Sequence, residues 1–148
     1  MISEITSLPI ANASMLDEST AAAEAMTMSF KLTNNKNTVI LDKYLHPQTI
    51  NVIKTRAEPL GINLIISENP EKEKLDDCSC VIFQYPNTEG RIKNLDDDIK
   101  IIQSAGSMVI LVADLLSLAL IKSPGEMGAD IAVGSTQRFG VPMAFGGP

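Results

Sequence analysis

Basic excess, long apolar runs and the rarer chemical side chains are all in short supply in this chain. There are 12 lysines and arginines against 18 aspartates and glutamates, a net charge of −6. That balance leaves no electrostatic footprint for nucleic acid and argues against an anionic membrane surface. The longest apolar stretch, Met108 to Ile121, is broken by Asp114 and Ser117 and falls short of the roughly 20 residues a membrane span needs. Residues 1–10 carry Glu4, no basic start and no long apolar run, so no signal peptide is expected there. The single histidine, His46, precedes Pro47 at an expected helix start. A local structural role is expected for it, because no Ser-His-Asp or Cys-His set can be assembled around it. The two cysteines stand as Cys78-Ser-Cys80 inside an apolar run, where residues two apart on a strand share a face and rarely bridge each other. Both read as buried thiols in a reducing compartment, and a metal site would lack a third nearby ligand.

What is present is a chain of 148 residues with 45% apolar side chains, enough for one core-bearing domain or part of one. Residues 15–32 form the clearest helix, rich in alanine, methionine and glutamate. Ser14 followed by Asp17 fits a capping-box start, and Lys31 suits the last turn. The alanines predict close approach by another layer. Beyond residues 33–37, short apolar runs alternate with helical patterns. Strands are expected at 38–41, 63–66, 80–84, 108–113 and 130–133, with helices at 47–59 and 94–104. Apolar runs of four to six residues without polar alternation predict strands buried on both faces, as in a parallel sheet covered by helices. The expected class is α/β, doubly wound, with a mostly parallel sheet. The last strand is followed by Gly146-Gly147-Pro148 and no helix, so the sheet reads as incomplete and the chain as part of a larger domain.

Functional groups in parallel sheets gather at the carboxyl ends of strands. Residues 42–46, 85–90, 114–117 and 134–148 occupy those places. Gln84-Tyr-Pro-Asn-Thr-Glu-Gly90 reads as a turn on its own chemistry. Asp114 could hold a cation or a protonated ring nitrogen, or cap the segment after it. The terminal glycines match no phosphate-loop spacing.

Four blocks together carry a resemblance. They are Asn12-Ala-Ser-Met-Leu-Asp-Glu-Ser-Thr-Ala-Ala-Ala-Glu-Ala-Met26, Gln84-Tyr-Pro-Asn-Thr-Glu-Gly90, Ala113-Asp-Leu-Leu-Ser-Leu118, and the run from Gly125 to Pro148. In this order they resemble the glycine decarboxylase P-protein family, specifically its amino-terminal half. The resemblance implies the large domain of a fold-type-I pyridoxal-phosphate enzyme, with 12–32 as a buried interface helix and 38–148 as part of the sheet. It implies an enzyme that decarboxylates glycine through its aldimine with pyridoxal phosphate and passes the aminomethyl group to the lipoyl arm of the H-protein. Gln137 falls where the related catalytic half has its Schiff-base lysine, and an amide is not a nucleophile. Asp17, Glu18, Ser19 and Thr20 fall where related enzymes cradle the cofactor phosphate, yet two carboxylates there would repel a dianion. Asp114 falls at the place of the aspartate that pairs with the pyridine nitrogen.

The expectation is therefore a segment with no catalytic or cofactor-binding residue of its own. Pyridoxal phosphate would be held by the catalytic half, on the same chain or a second subunit. Asn12, Ser14, Asp17 and Glu18 are possible contributors to the rim of that half's active site. Bacterial cytoplasm or the mitochondrial matrix is the expected location. Two rivals stand beside this reading: a scaffold half with no residue in the active site, and an unrelated doubly wound binding module such as a receiver domain. The second lacks an acidic cluster after the first strand, since Asp42 is isolated there.

Overall fold

The computed structural model describes residues 1–12, 14–34 and 36–142. Five parallel strands form one sheet in the order β2-β1-β3-β4-β5. They are β1 Thr38–Asp42, β2 Asn63–Ser67, β3 Cys78–Tyr85, β4 Met108–Ala113 and β5 Ile131–Val133. The helices are α1 Ile2–Thr6, α2 Glu18–Leu32, α3 Pro47–Ala57, α4 Asp96–Ser104 and α5 Pro124–Met127. Successive side chains leave a strand on opposite faces, and each face has its own core. Val39, Leu41, Ile82, Ile110 and Val112 pack with the alanines of α2 and with Ile53 and Ala57 of α3. Ile40, Val81, Phe83, Val109 and Leu111 pack with Ile99 and Ile102 of α4 and with Met127. The alternating pattern of the sequence thus becomes a doubly wound three-layer α/β unit.

Every residue of β1 and β3 is buried, which matches the absence of polar alternation in those runs. Strand β2 departs from the expectation. It has one sheet neighbour, and Asn63 and Ile66 are exposed with Leu64 and Ile65 half-buried. An edge strand is covered incompletely even when its sequence is as apolar as that of a central strand.

Two local expectations also change. Helix α2 begins at Glu18 rather than Met15, and its cap is Asp17 instead of a Ser14–Asp17 box. Asp17 is extended at φ −155°, and its Oδ1 accepts from the Thr20 backbone N–H at 2.6 Å. Starting there places Ala21, Ala22, Ala23, Ala25 and Met26 in the interior, while Met15 and Leu16 stay exposed. The second concerns Cys78 and Cys80, which lie on opposite faces of the sheet rather than the same one. The register against β1 steps from Thr38–Cys78 to Val39–Cys80, so Ser79 is an extra residue in the ladder. One unpaired residue reverses the alternation beyond it. The Ser79 hydroxyl donates to Thr38 O at 3.1 Å and holds the irregularity in place.

Elements that short patterns did not disclose complete the fold. The Tyr85–Pro86 peptide is cis. Helix α5 opens on a capping box in which the Ser123 N–H and the Glu126 carboxylate are joined at 2.9 Å. Ser123 also donates to Ser7 Oγ at 2.8 Å, tying α5 to the residue that ends α1. A Cβ at Gly125 would lie 2.0 Å from the Ser7 carbonyl oxygen, so only glycine allows this approach.

Gly125→Ala should therefore destabilise the protein by about 1–3 kcal/mol, the usual cost of overpacking. It should also release α1 to protease before the sheet melts. Equal unfolding midpoints and equal α1 cleavage rates in the two proteins would contradict the contact.

Candidate functional site

The sheet reverses its winding between β1 and β3, because the connection from β1 runs to β2 on one side and the later strands build out on the other. Crevices outside the carboxyl ends of strands at such a point are where doubly wound folds take ligands. A crevice of about 320 Å³ lies there, lined by Asp42, Tyr44, Glu68, Tyr85, Arg91 and Lys93 among others. Burial pushes the Asp42 carboxyl above its ordinary value, and the Tyr44 N–H opposes this by donating to it at 3.1 Å. Lys93 sits 2.6 Å from Asp98. Arg91 and Lys43 each lie 5.8 Å from the centre of the Tyr44 ring.

A second cluster forms on the α2–α3 face. The first turn of α2 meets the end of β3, where Gln84 Nε2 donates to Glu18 Oε1 at 3.5 Å. The next α2 residue, Ser19, shares a 3.1 Å hydrogen bond with Thr49 of α3. His46, just before α3, bonds through Nδ1 to Thr88 Oγ1 at 2.7 Å, joining the helix start to the loop after β3. Thr88 N–H also donates to Tyr44 O at 3.0 Å. Glu18 is held above the usual carboxylate range, chiefly by burial. Donation from Gln84 and the charge of His46 work against that shift, and Asp114 and Asp17 add to it.

Asp114 ends β4 with its carboxylate already engaged. Arg138 donates from Nε to Oδ1 at 3.0 Å and from Nη2 to Oδ2 at 3.4 Å, and the Leu116 N–H reaches Oδ1 at 3.2 Å. Arg138 lies on the short 3-10 turn Thr136–Phe139, which Ser135 caps by accepting from the Gln137 N–H at 3.1 Å. Close approach of the preceding loop is set by Gly134, where a Cβ would lie 2.2 Å from Ala113 O. Gln137 is half-buried one residue before the arginine.

Of the residues singled out in the sequence, Glu18 and Asp114 come together in one charged neighbourhood. Asp17 is exposed and spent on its cap, and Asn12 and Ser14 are exposed ahead of the helix. The stretch from Met143 to Pro148, including the terminal glycines, lies outside the described residues. Sequence reading missed Gln84 as the partner of Glu18 and Arg138 as the counter-ion of Asp114. Gln84 did leave a signal, as a lone amide near the end of the otherwise apolar run from Cys80 to Tyr85. No comparable signal pointed to Arg138, since the two residues lie 24 positions apart.

Known proteins are similar to this chain in sequence and in fold. The family profile described as glycine cleavage system P-protein matches residues 1–148. The chain belongs to the glycine cleavage system P-protein family. A relative named glycine dehydrogenase (decarboxylating), from Cereibacter sphaeroides, is 50% identical over 100% of this chain and 16% of its own length. The crystal structure of glycine decarboxylase (P-protein) of the glycine cleavage system, in inhibitor-bound form, superposes with a TM-score of 0.91. It is 37% identical over 99% of this chain and 35% of that one. The cystathione gamma lyase CalE6 from Micromonospora echinospora is 16% identical, with a TM-score of 0.64 over 82% of this chain and 32% of its own, and shares the fold. This P-protein chain thus spans about a sixth of the length of the curated relative, whose matched share is 16%.

The residues in this P-protein chain do not suit pyridoxal phosphate at the positions to which the resemblance points. Gln137 has no amine, Asp114 is neutralised by Arg138, and the first turn of α2 presents Asp17 and Glu18 where a phosphate would need free N–H groups.

Asp17→Ala should cost about 1 kcal/mol and Asp17→Ser should recover most of it, as at other amino-terminal caps. The Thr20 N–H holds the Asp17 carboxyl below its ordinary value. Its contribution is therefore full above the unfolded carboxylate value and lost as pH falls through the lower folded one. Urea unfolding from about pH 2 to about pH 6 should show this acid loss in the parent and not in Asp17→Ser.

Proposed function

We propose that this chain is part of the amino-terminal half of a glycine decarboxylase and supports a catalytic half without holding the cofactor itself. The complete enzyme would remove carbon dioxide from glycine and pass the aminomethyl group to the lipoyl arm of the H-protein. Pyridoxal phosphate would supply the electron sink for that decarboxylation from the other half. The observation that carries this reading is the Asp114–Arg138 ion pair, with Gln137 preceding Arg138 in the chain. Arg138 already donates to both oxygens of the Asp114 carboxylate and offsets its charge, which weakens its hold on a protonated ring nitrogen, and an amide cannot replace an amine as nucleophile.

The chain's own residues would then act on the catalytic half by contact. Helix α2, Glu18–Leu32, with the approach to it from Asn12, would form its interface segment, and the chain from residue 38 onward part of the large-domain sheet. The exposed approach to α2, with Asn12, Ser14 and Asp17, and Glu18 behind it, would face the rim of the glycine pocket. Among the described residues no helix is long and apolar enough to cross a membrane. The chain's partners would be glycine, the catalytic half and the H-protein. The bacterial cytoplasm or the mitochondrial matrix would be the setting.

Two measurements test the reading. The 148-residue chain mixed with pyridoxal phosphate and borohydride should give no stoichiometric adduct by mass spectrometry. One modified lysine per chain would overturn the assignment of a cofactor-free half. In the full enzyme, Asp17→Asn should lower glycine–bicarbonate exchange at an unchanged melting temperature, and Glu18→Gln should lower it with no fall in melting temperature. Exchange at the parental level in both variants would leave the scaffold reading in possession.

A further inference from the structure

The side chain of Gln84 is only 5% exposed, yet one edge of its amide is unmet. Its Nε2 donates to Glu18 Oε1 at 3.5 Å, while its Oε1 is buried without a hydrogen-bond partner among the described residues. Buried carbonyl oxygens almost always find a donor, because leaving one unmet forfeits its hydration. An ionised carboxylate offers acceptors alone and can meet only the N–H edge of an amide. A neutral carboxylic acid offers one donor and one acceptor, which is the complement of that amide.

The charges around Glu18 favour the neutral form. On its own helix stands Asp17, whose carboxylate is exposed and bonded to Thr20. From the end of β4 comes Asp114, with Arg138 of the following 3-10 turn closed upon it. His46, just before α3, carries a charge that works for ionisation. Burial acts in the same direction as the two aspartates and is the largest influence.

We propose that Glu18 is protonated in the folded protein and donates that proton to Gln84 Oε1, closing a two-hydrogen-bond acid–amide ring between α2 and β3. The carboxylate takes one proton from solvent on folding. The new O–H meets the orphaned Oε1, and Gln84 Nε2 donates to the remaining acid oxygen. This role is independent of the proposed place in glycine decarboxylation, since it concerns how the helix start is pinned to the strand end whatever the whole protein does. The folded value is raised, so the ring's contribution is complete below the unfolded carboxylate value. It is lost as pH rises through the folded value.

The test is infrared difference spectroscopy on the intact protein that carries this chain, titrated from about pH 5 to about pH 8, above the ordinary range of a free glutamate. The parent should show the carbonyl stretch of a protonated carboxylic acid, shifted by deuteration and fading as pH rises. Glu18→Gln should lack the band, because the two amides close the same ring without a titrating proton. It should keep the parent's low-pH melting midpoint at every pH, whereas the parent's midpoint should fall toward that of Glu18→Ala. The band should persist in His46→Gln, which removes the opposing charge. Absence of the band in the parent at about pH 5 would overturn the proposal, as would a parent-to-Glu18→Gln midpoint difference that does not change with pH. If Glu18→Gln does not fold, loss of the band in Glu18→Asn, set against its persistence in Asp42→Asn, decides the matter.

Discussion

A parallel sheet leaves no face for water, and most of this chain's distinctive features stem from that constraint. Its strands are joined by crossovers that place helices on both sides, so β1 and β3 are buried along their whole length and apolar in their middles. The polar groups the fold can carry are driven to the strand ends. Asp42, Gln84 and Asp114 all stand at or beside carboxyl termini of central strands, and all three face partners from the loops or helix starts above them. The alanines of α2 belong to the same constraint. A helix that lies over a sheet already filled by Val39, Leu41, Ile82 and Val112 has little room for large side chains, and four buried alanines let it settle there.

The electrostatics at that end of the sheet are conservative. Asp114 and Arg138 neutralise each other, Asp17 is absorbed by its cap, and Glu18 meets an amide. Pairing of this kind holds a loop and a helix start in place at little energetic risk, since the Asp114–Arg138 pair is half-exposed and such pairs contribute modestly to stability.

Sequence pattern disclosed the layers well, because burial on two faces writes itself into consecutive residues. The runs 108–113 and 63–66 coincide with β4 and nearly with β2. Features that depend on neighbours distant in the chain were disclosed poorly. Nothing local distinguishes the edge position of β2 from a central one, and the start of α2 was set by which alanines had to face the sheet, not by the first plausible cap. The bulge at Ser79 arises from register against β1, some 41 positions away. Among candidate site residues the same division holds. Asp114 and the first turn of α2 were visible as polar residues beside apolar runs, whereas Arg138 and Gln84 acquired meaning only through the partners that folding gave them. Family resemblance reached further than pattern here, since four ordered blocks pointed to the P-protein family that full-length matching supports.

The extra residue at Ser79 gives the molecule a pair of built-in reporters. Because it sends Cys78 toward the α4 layer and Cys80 toward the α2–α3 layer, the two thiols sample different halves of the interior while sitting two residues apart. Both are held in the protonated, unreactive form by burial. Alkylation of either requires that its own layer lift from the sheet. Mass-resolved labelling kinetics at these positions would therefore time the opening of each helical layer separately, without introducing any probe.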